Sequence, residues 1–118
     1  MEQLTQLNRV EVRGIIGNVR LTKISDTICA KVTVATNYAY KAKDSSCIIE
    51  TTWHNVVAFE GKYIKGLDKL ERGSKVSVTG RLKNNRFTGA DGLEKSVLDV
   101  IASELTFIDS REPLECEM

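Results

Sequence analysis

Apolar and polar residues alternate along most of the chain with a period of two, the spacing typical of strands. The alternating stretches that predict strands are Val10 to Ile16, Ala30 to Thr36, Thr51 to Phe59, Val76 to Leu82 and Leu93 to Ile108. Glycine interrupts the first stretch at Gly14 and Gly17, so we expect that strand to bend at one of them. In the fifth stretch the apolar positions change parity between Val100 and Leu105, which predicts a β-bulge.

A helical period replaces the alternation only between the third and fourth strands. Apolar residues recur there at Tyr63, Ile64, Leu67 and Leu70. Gly73 is placed to end this short helix. Residues 38–50 read as a polar excursion after the second strand, and Asp91-Gly92 predicts a tight turn before the fifth. Three strands, one short helix and two strands is the order of an OB-fold, an all-β, five-stranded Greek-key barrel.

The third strand has an unusual distribution of side chains, because both of its faces are apolar. One face carries His54, Val56 and Ala58. The other carries Trp53, Asn55, Val57 and Phe59. Only one apolar face is needed to fill a small barrel, so we expect the face with the single tryptophan to be exposed. That face needs a flat ligand or another protein surface as its partner.

Composition sets limits on this picture. With 118 residues, 42% hydrophobic and 28% charged, the chain is predicted to be one globular domain. No run is long enough for a membrane span, and the first residues do not resemble a secretory signal. The cysteines, Cys29, Cys47 and Cys116, lack metal-ligand spacing and are expected to be reduced thiols. A cytoplasmic protein with no membrane association is therefore expected.

The net charge of +1 conceals an uneven distribution. Residues 109–118 hold four acids and one arginine, so this segment carries −3 and residues 1–108 carry +4. We expect a domain over residues 1–108 and a short, disordered acidic C-terminal tail over residues 109–118.

Positive charge and aromatic rings lie together at two places. On the fourth strand, Arg81, Lys83 and Phe87 share the face opposite the apolar residues. After the second strand, Tyr38 and Tyr40 alternate with small residues beside two lysines. A single-stranded nucleic acid binds such surfaces, because bases stack on rings while cations neutralise the backbone. The cations expected to contact the backbone are Lys41, Lys43, Arg81, Lys83 and Arg86.

Several segments resemble the bacterial single-stranded DNA-binding protein family, in its order and near its spacing. They are residues 8–10, 34–37, 52–59, 72–76 and 80–82, with Thr52-Trp53-His54-Asn55-Val56-Val57-Ala58-Phe59 as the most specific. The resemblance covers roughly residues 8–108. It implies an OB-fold homotetramer that binds single-stranded DNA without sequence preference in replication, recombination and repair. A dimer stays open as the alternative.

The resemblance also assigns roles to residues. The stacking aromatics of the family fall on Trp53, Phe59, Tyr40 and Phe87, and the family's histidine at a subunit contact falls on His54. Many members have tryptophan at the positions of Tyr40 and Phe87, so weaker stacking is expected there. The tail lacks the long linker and terminal Pro-Phe of the family, so recruitment of replication and repair enzymes is not carried over to this chain.

Other readings of the same residues stay open. Phe59 could plug the barrel, Phe87 could cap it, and Tyr38 could face the core or be a hairpin residue. The aromatic face could bind a protein, as in a primosome-accessory module, and RNA could replace DNA, because stacking does not interrogate the sugar. An enzyme is not expected. His54 has no adjacent nucleophile, and the sequence has no phosphate-binding glycine motif or zinc signature, so no catalytic residue, cofactor or metal is predicted.

Overall fold

The computed structural model describes residues 5–108, which form five strands and one short 3-10 turn. The strands are β1 (Val10–Ile24), β2 (Thr27–Lys41), β3 (Cys47–Phe59), β4 (Lys75–Thr88) and β5 (Glu94–Phe107). The acidic tail predicted at residues 109–118 lies outside the described residues. No helix within residues 5–108 has the length and apolar character needed to cross a bilayer.

The strands close into a barrel in the order β1-β2-β3-β5-β4. β1 pairs antiparallel with both β2 and β4, which joins the two ends of the sheet. β3 and β5 pair in parallel from Asn55–Asp99 to Val57–Ile101. Because closure leaves no unpaired edge around the barrel wall, the sheet is stable as a small domain. The predicted five-stranded OB-fold is confirmed.

Two irregularities bend the barrel where the sequence predicts them. In β1, Ile16 pairs with Val34 and Val19 with Val32, so Gly17 and Asn18 together oppose a single residue of β2. The predicted bend therefore lies at Gly17.

The second irregularity is the bulge predicted in β5. Glu104 pairs with Thr79 and Ala102 with Gly80, so Ser103 is the extra residue. Its hydroxyl donates a 3.0 Å hydrogen bond to the Thr79 carbonyl. The bulge explains how Val100 and Leu105, at positions of opposite parity, both reach the core.

The core consists of the inward side chains of all five strands, together with Ile64, Leu67 and Leu70 from the segment between β3 and β4. Residues less than 2% exposed include Ile16, Val34, Val56, Leu67, Val76 and Val78. Burying such a side chain contributes about 1.5–3 kcal/mol relative to leaving it in water. His54 lies on the inward face with Val56 and Ala58, as the alternation in β3 predicts.

The helix predicted after β3 is reduced to a single 3-10 turn, Leu67–Lys69. Ile64 instead forms an isolated parallel bridge with Leu105. Gly66, in the left-handed region at φ 78°, interrupts any α-helix through this segment. The apolar spacing correctly predicts that Ile64, Leu67 and Leu70 are buried. It is wrong for Tyr63, which is 65% exposed.

Two hairpin arms extend beyond the barrel. The β2–β3 pairing is regular from Cys29–Phe59 to Lys41–Cys47, so most of the predicted polar excursion is a paired arm. The β4–β5 arm ends in a turn at residues 89–93, where Gly92 has φ 79°. The turn predicted at Asp91-Gly92 is confirmed, and both arms carry candidate binding residues.

Candidate nucleic-acid interface

Trp53 lies on the outer face of β3 and is 59% exposed, as the two-sided apolar pattern predicts. It pairs with Ala35 on β2. A methyl group on Gly17 would overlap the six-membered ring of Trp53, so the indole lies against the backbone of β1. The ring is supported from below and open to solvent above, which is the geometry that base stacking requires.

Phe59 lies on the same outer face, six residues farther along β3, or about 20 Å at the rise of a strand. It pairs with Cys29 and is 46% exposed. The ring therefore lies on the wall of the barrel and does not plug its interior.

The basic face predicted on β4 is exposed in the structure. Arg81, Lys83 and Phe87 share one side of β4, with Phe87 45% exposed. Lys83 pairs with Asp99 of β5, and Asp99 pairs with Asn55 of β3. Paired residues lie on the same side of a sheet, so these cations share the outer face that carries Trp53. Lys41, at the end of β2, has the same parity.

Tyr40 and Arg86 lie on the other side of their hairpins. Tyr40 follows Val34 at even spacing along a regular ladder, so it shares a side with His54 and not with Trp53. Arg86 pairs with Ser96 and lies 4.0 Å from Glu94 in an exposed ion pair. Lys43 lies in the turn between β2 and β3. The predicted residues therefore occupy two faces, and one polymer can reach both only by passing around an arm.

Tyr40 has two close neighbours. Its ring centroid lies 6.0 Å from that of Tyr38 with a 35° tilt between the planes. Partial burial raises the pKa of the Tyr40 hydroxyl, and the Glu50 carboxylate raises it further through its charge and by accepting a hydrogen bond from that hydroxyl. The carboxylate therefore adds negative charge beside the tyrosine.

His54 has a hydrogen-bond partner on the neighbouring strand. Its Nε2 lies 2.8 Å from Oγ1 of Thr36, in a half-buried position near the base of the β2–β3 arm. This bond fixes the plane of the imidazole. Within residues 5–108, no group of three or more His, Cys, Asp or Glu side chains could hold a metal ion.

A cleft of about 580 Å³ separates the β1–β2–β3 wall from the β4–β5 arm. Its lining includes Arg20, Lys31, Asn85, Phe87 and Asp99. Of these, only Phe87 is predicted as a site residue from the sequence. Arg20 and Lys31 are paired directly across β1 and β2, where like charges repel unless an anion lies between them. The alternation along β2 predicts that Lys31 is exposed, but nothing in the local sequence indicates its partner.

Comparison with known proteins identifies relatives over most of the chain. The model of the Single-strand binding protein family matches residues 7–108. A single-stranded DNA-binding protein of Xanthomonas axonopodis pv. citri is 37% identical over 109 residues, which cover 89% of this chain and 59% of that protein. A single-stranded DNA-binding protein of Neisseria meningitidis is 26% identical over 108 residues, which cover 89% of this chain and 62% of that protein. The chain thus spans about three fifths of the length of these relatives.

Two solved structures of single-stranded DNA-binding proteins have the same fold as this chain. A Plasmodium falciparum SSB in complex with ssDNA superposes with a TM-score of 0.74 at 22% identity, covering 92% of this chain and all of that one. A deletion mutant of the Thermus aquaticus single-stranded DNA binding protein superposes with a TM-score of 0.68 at 21% identity, covering 89% of this chain and 52% of that one. These similarities support the barrel topology described above.

Proposed function

The chain belongs to the single-strand binding protein family, and we propose that it binds and protects single-stranded DNA without an overall sequence requirement. The role is non-catalytic and serves replication, recombination and repair. The observation that carries the proposal is the outer face of the barrel, where the exposed indole of Trp53 shares one side of the sheet with Arg81 and Lys83. Bases stack on the ring while the cations neutralise phosphates.

The proposed contacts follow the faces of the sheet. Trp53, Phe59 and Phe87 stack bases along the outer face, and Lys41, Arg81 and Lys83 contact the backbone there. Tyr40, Arg86 and Lys43 contact the DNA after it has passed around the hairpin arms. Wrapping of this kind requires no continuous flat surface, because a single strand bends freely between stacked bases.

Titration of the protein with oligo(dT) tests the proposal, using the fluorescence of its single tryptophan. A base stacked on Trp53 quenches the indole, so we expect saturable quenching that weakens as salt is added. A DNA duplex of the same length is the control, because its bases are already stacked on each other. An unchanged signal with oligo(dT) would favour the alternative, an OB-fold module whose aromatic face binds a protein. A parallel titration with oligo(rU) separates DNA from RNA.

We also propose a homotetramer, with a dimer as the alternative, on the basis of family membership. Exposed apolar area supports assembly: Ile15 is 42% exposed on β1. His54, oriented by Thr36, is the proposed contact between subunits. Light scattering with and without oligonucleotide measures the mass directly, and a monomer in both conditions would contradict the assembly.

The buried free thiol of Cys29 agrees with the cytoplasmic location that we propose.

A further inference from the structure

Two cations on the outer face oppose each other directly, Arg20 on β1 and Lys31 on β2. Both side chains are exposed, and within residues 5–108 neither takes part in an ion pair. The Cβ atoms of directly opposed residues in an antiparallel pair lie about 4.5–5.5 Å apart, where like charges destabilise the sheet. The free protein therefore carries an unfavourable pair of charges that a bound anion would turn into a favourable one.

The strand registers place this pair beside the proposed path of the DNA. Lys31 is opposite Val57 of β3. Val57 lies on the outer face between Trp53 and Phe59, four residues or about 13 Å from the first and two residues or about 7 Å from the second. A DNA strand whose bases stack on the two rings therefore passes the two cations on its way from one ring to the other.

A further cation lies on the far flank of the same row of residues. Val57 pairs with Ile101 of β5, and Ile101 pairs with Arg81 of β4. Paired residues share a side of the sheet, so the apolar centre formed by Val57 and Ile101 has positive charge on both flanks. The outer face thus offers phosphate contacts on either side of the stacked bases.

Asp99 lines the same cleft, but its partners lie on the opposite flank. It is directly opposite Lys83 on β4 and accepts a hydrogen bond from Asn85. Its strand, β5, is separated from β2 by β3, a distance of about 10 Å between strands. This carboxylate therefore does not offset the charge of Arg20 and Lys31.

We propose that Arg20 and Lys31 together bind one phosphate of single-stranded DNA, in the segment that crosses the barrel wall between Trp53 and Phe59. The inference rests on the proposed function and adds to it a contact site on β1 and β2 that the sequence does not predict. A phosphate has several charged acceptor oxygens, so it accepts hydrogen bonds from both side chains and offsets their mutual repulsion. The pair lowers the stability of the free protein and raises the affinity of the complex.

The double variant Arg20→Gln/Lys31→Gln tests the site, with the anisotropy of a labelled oligo(dT) measured over a range of salt concentrations. Loss of one phosphate contact of a single strand lowers the slope of log K against log salt by about 0.7, which is a factor of about five for each tenfold change in salt. We therefore expect binding about fivefold weaker than wild type at about 0.1 M salt and nearly equal at about 1 M. An unchanged affinity and slope would overturn the proposal.

The control for general charge is Lys23→Gln/Lys65→Gln, which also removes two positive charges. Lys23 has the opposite parity to Arg20 on β1, and Lys65 lines a separate cleft with Asp26 and Glu60. We expect this variant to keep the wild-type affinity and slope. A loss equal to that of the first double variant would show that only total charge matters, and would overturn the assignment to one site.

A charge-conserving variant, Arg20→Lys/Lys31→Arg, keeps a cation at each position. Because both side chains bind phosphate, we expect it to retain the wild-type slope. A slope as low as that of Arg20→Gln/Lys31→Gln would overturn the proposed role of charge at this pair.

Urea unfolding without DNA, at low salt, measures the repulsion separately and shows that each variant folds. In a cycle of the two single variants and the double variant, each substitution by glutamine is expected to be more favourable when the other cation is present, because it then removes a repulsion. Additive effects, or a favourable coupling between Arg20 and Lys31, would overturn the proposal.

The proposed function and the phosphate site fail in different ways. Wild-type protein that does not bind oligo(dT) would refute the proposed function itself. If the wild type binds and Arg20→Gln/Lys31→Gln binds equally well, only the phosphate site is refuted.

Discussion

The indole of Trp53 on β3 lies against Gly17 on β1, two strands away in the sheet. A Cβ at Gly17 would overlap the indole and would also lie 2.9 Å from Oγ1 of Thr33. That hydroxyl accepts a 2.9 Å hydrogen bond from the backbone N–H of Asn18, within the β1 bulge. Because Gly17 has no side chain, β1 can bend at this position and the exposed indole of Trp53 can pack against its backbone.

Gly17→Ala is expected to displace the indole. The new methyl group has no free space, and overpacking of this kind costs about 1–3 kcal/mol of stability. We expect a shift in the tryptophan emission and weaker binding of oligo(dT). Gly61→Ala is the matched control, because nothing lies within 4 Å of a Cβ built at that position. Identical emission spectra for the wild type and Gly17→Ala would show that the indole does not rest on β1.

Trp53→Ala and Lys83→Ala are expected to weaken DNA binding in different ways. Loss of the indole removes a stack worth about 1–3 kcal/mol, with little change in salt dependence. Loss of the lysine is expected to cost less affinity but to lower the slope of log K against log salt by about 0.7, the value for one phosphate of a single strand. Anisotropy of a labelled oligonucleotide measures both variants without using tryptophan. Equal losses with equal slopes would contradict this division between stacking and charge.

Thr36→Val is expected to destabilise the fold by about 1 kcal/mol, because His54 loses its half-buried hydrogen-bond partner. The comparison variant is Thr51→Val, whose hydroxyl donates 2.7 Å to Oδ1 of Asn37 on the exposed side of the same arm. Water replaces that exposed bond, so a smaller loss is expected. Urea unfolding at one protein concentration measures the free energy of unfolding of both variants. Equal losses would show that the Thr36–His54 bond stabilises the fold no more than the exposed Thr51–Asn37 bond does.

Glu50→Gln is expected to lower the pKa of Tyr40 toward its ordinary value of 10.0, because the carboxylate raises it in addition to partial burial. The raised pKa means that the folded state retains the phenolic proton more strongly than the unfolded state. This contribution to stability is fully present below pH 10 and is lost as pH rises through the pKa of the folded state. Tyrosinate absorbance during alkaline titration, with Tyr40→Phe subtracted to isolate one ring, gives the pKa. The same Tyr40 pKa in both proteins would exclude an influence of Glu50.

Local periodicity predicted much of the fold and the exposed aromatic ring. The alternation in β3 separates Trp53 from Val56 without any tertiary information, since the period of two is a property of the strand itself. The parity change in β5 marked the bulge at Ser103 for the same reason. The short helix was overestimated, because apolar spacing reports which side chains are buried and does not reveal the left-handed backbone at Gly66.

The position of Tyr40 shows how far a local pattern reaches. Its spacing from Val34 would assign it to the inward side, but only if β2 continues as a paired strand through residue 40. Residues 38–50 are polar enough to resemble a loop, and their pairing depends on the register of the whole hairpin. That register places Tyr40 on the side opposite Trp53.

By itself the sequence determined the barrel segments of the strands and the outward direction of Trp53, because each depends on residues that are neighbours along the chain. The order of these elements indicated the barrel class. Tertiary structure alone decided that Arg20 lies opposite Lys31, that Gly17 supports the indole, and that Asp99 is buried beside a cleft. These relationships depend on registers between strands that are distant in sequence, and two of them follow from the bulge in β1. Pairing across a closed sheet is a property of all five strands together, so no single segment encodes it.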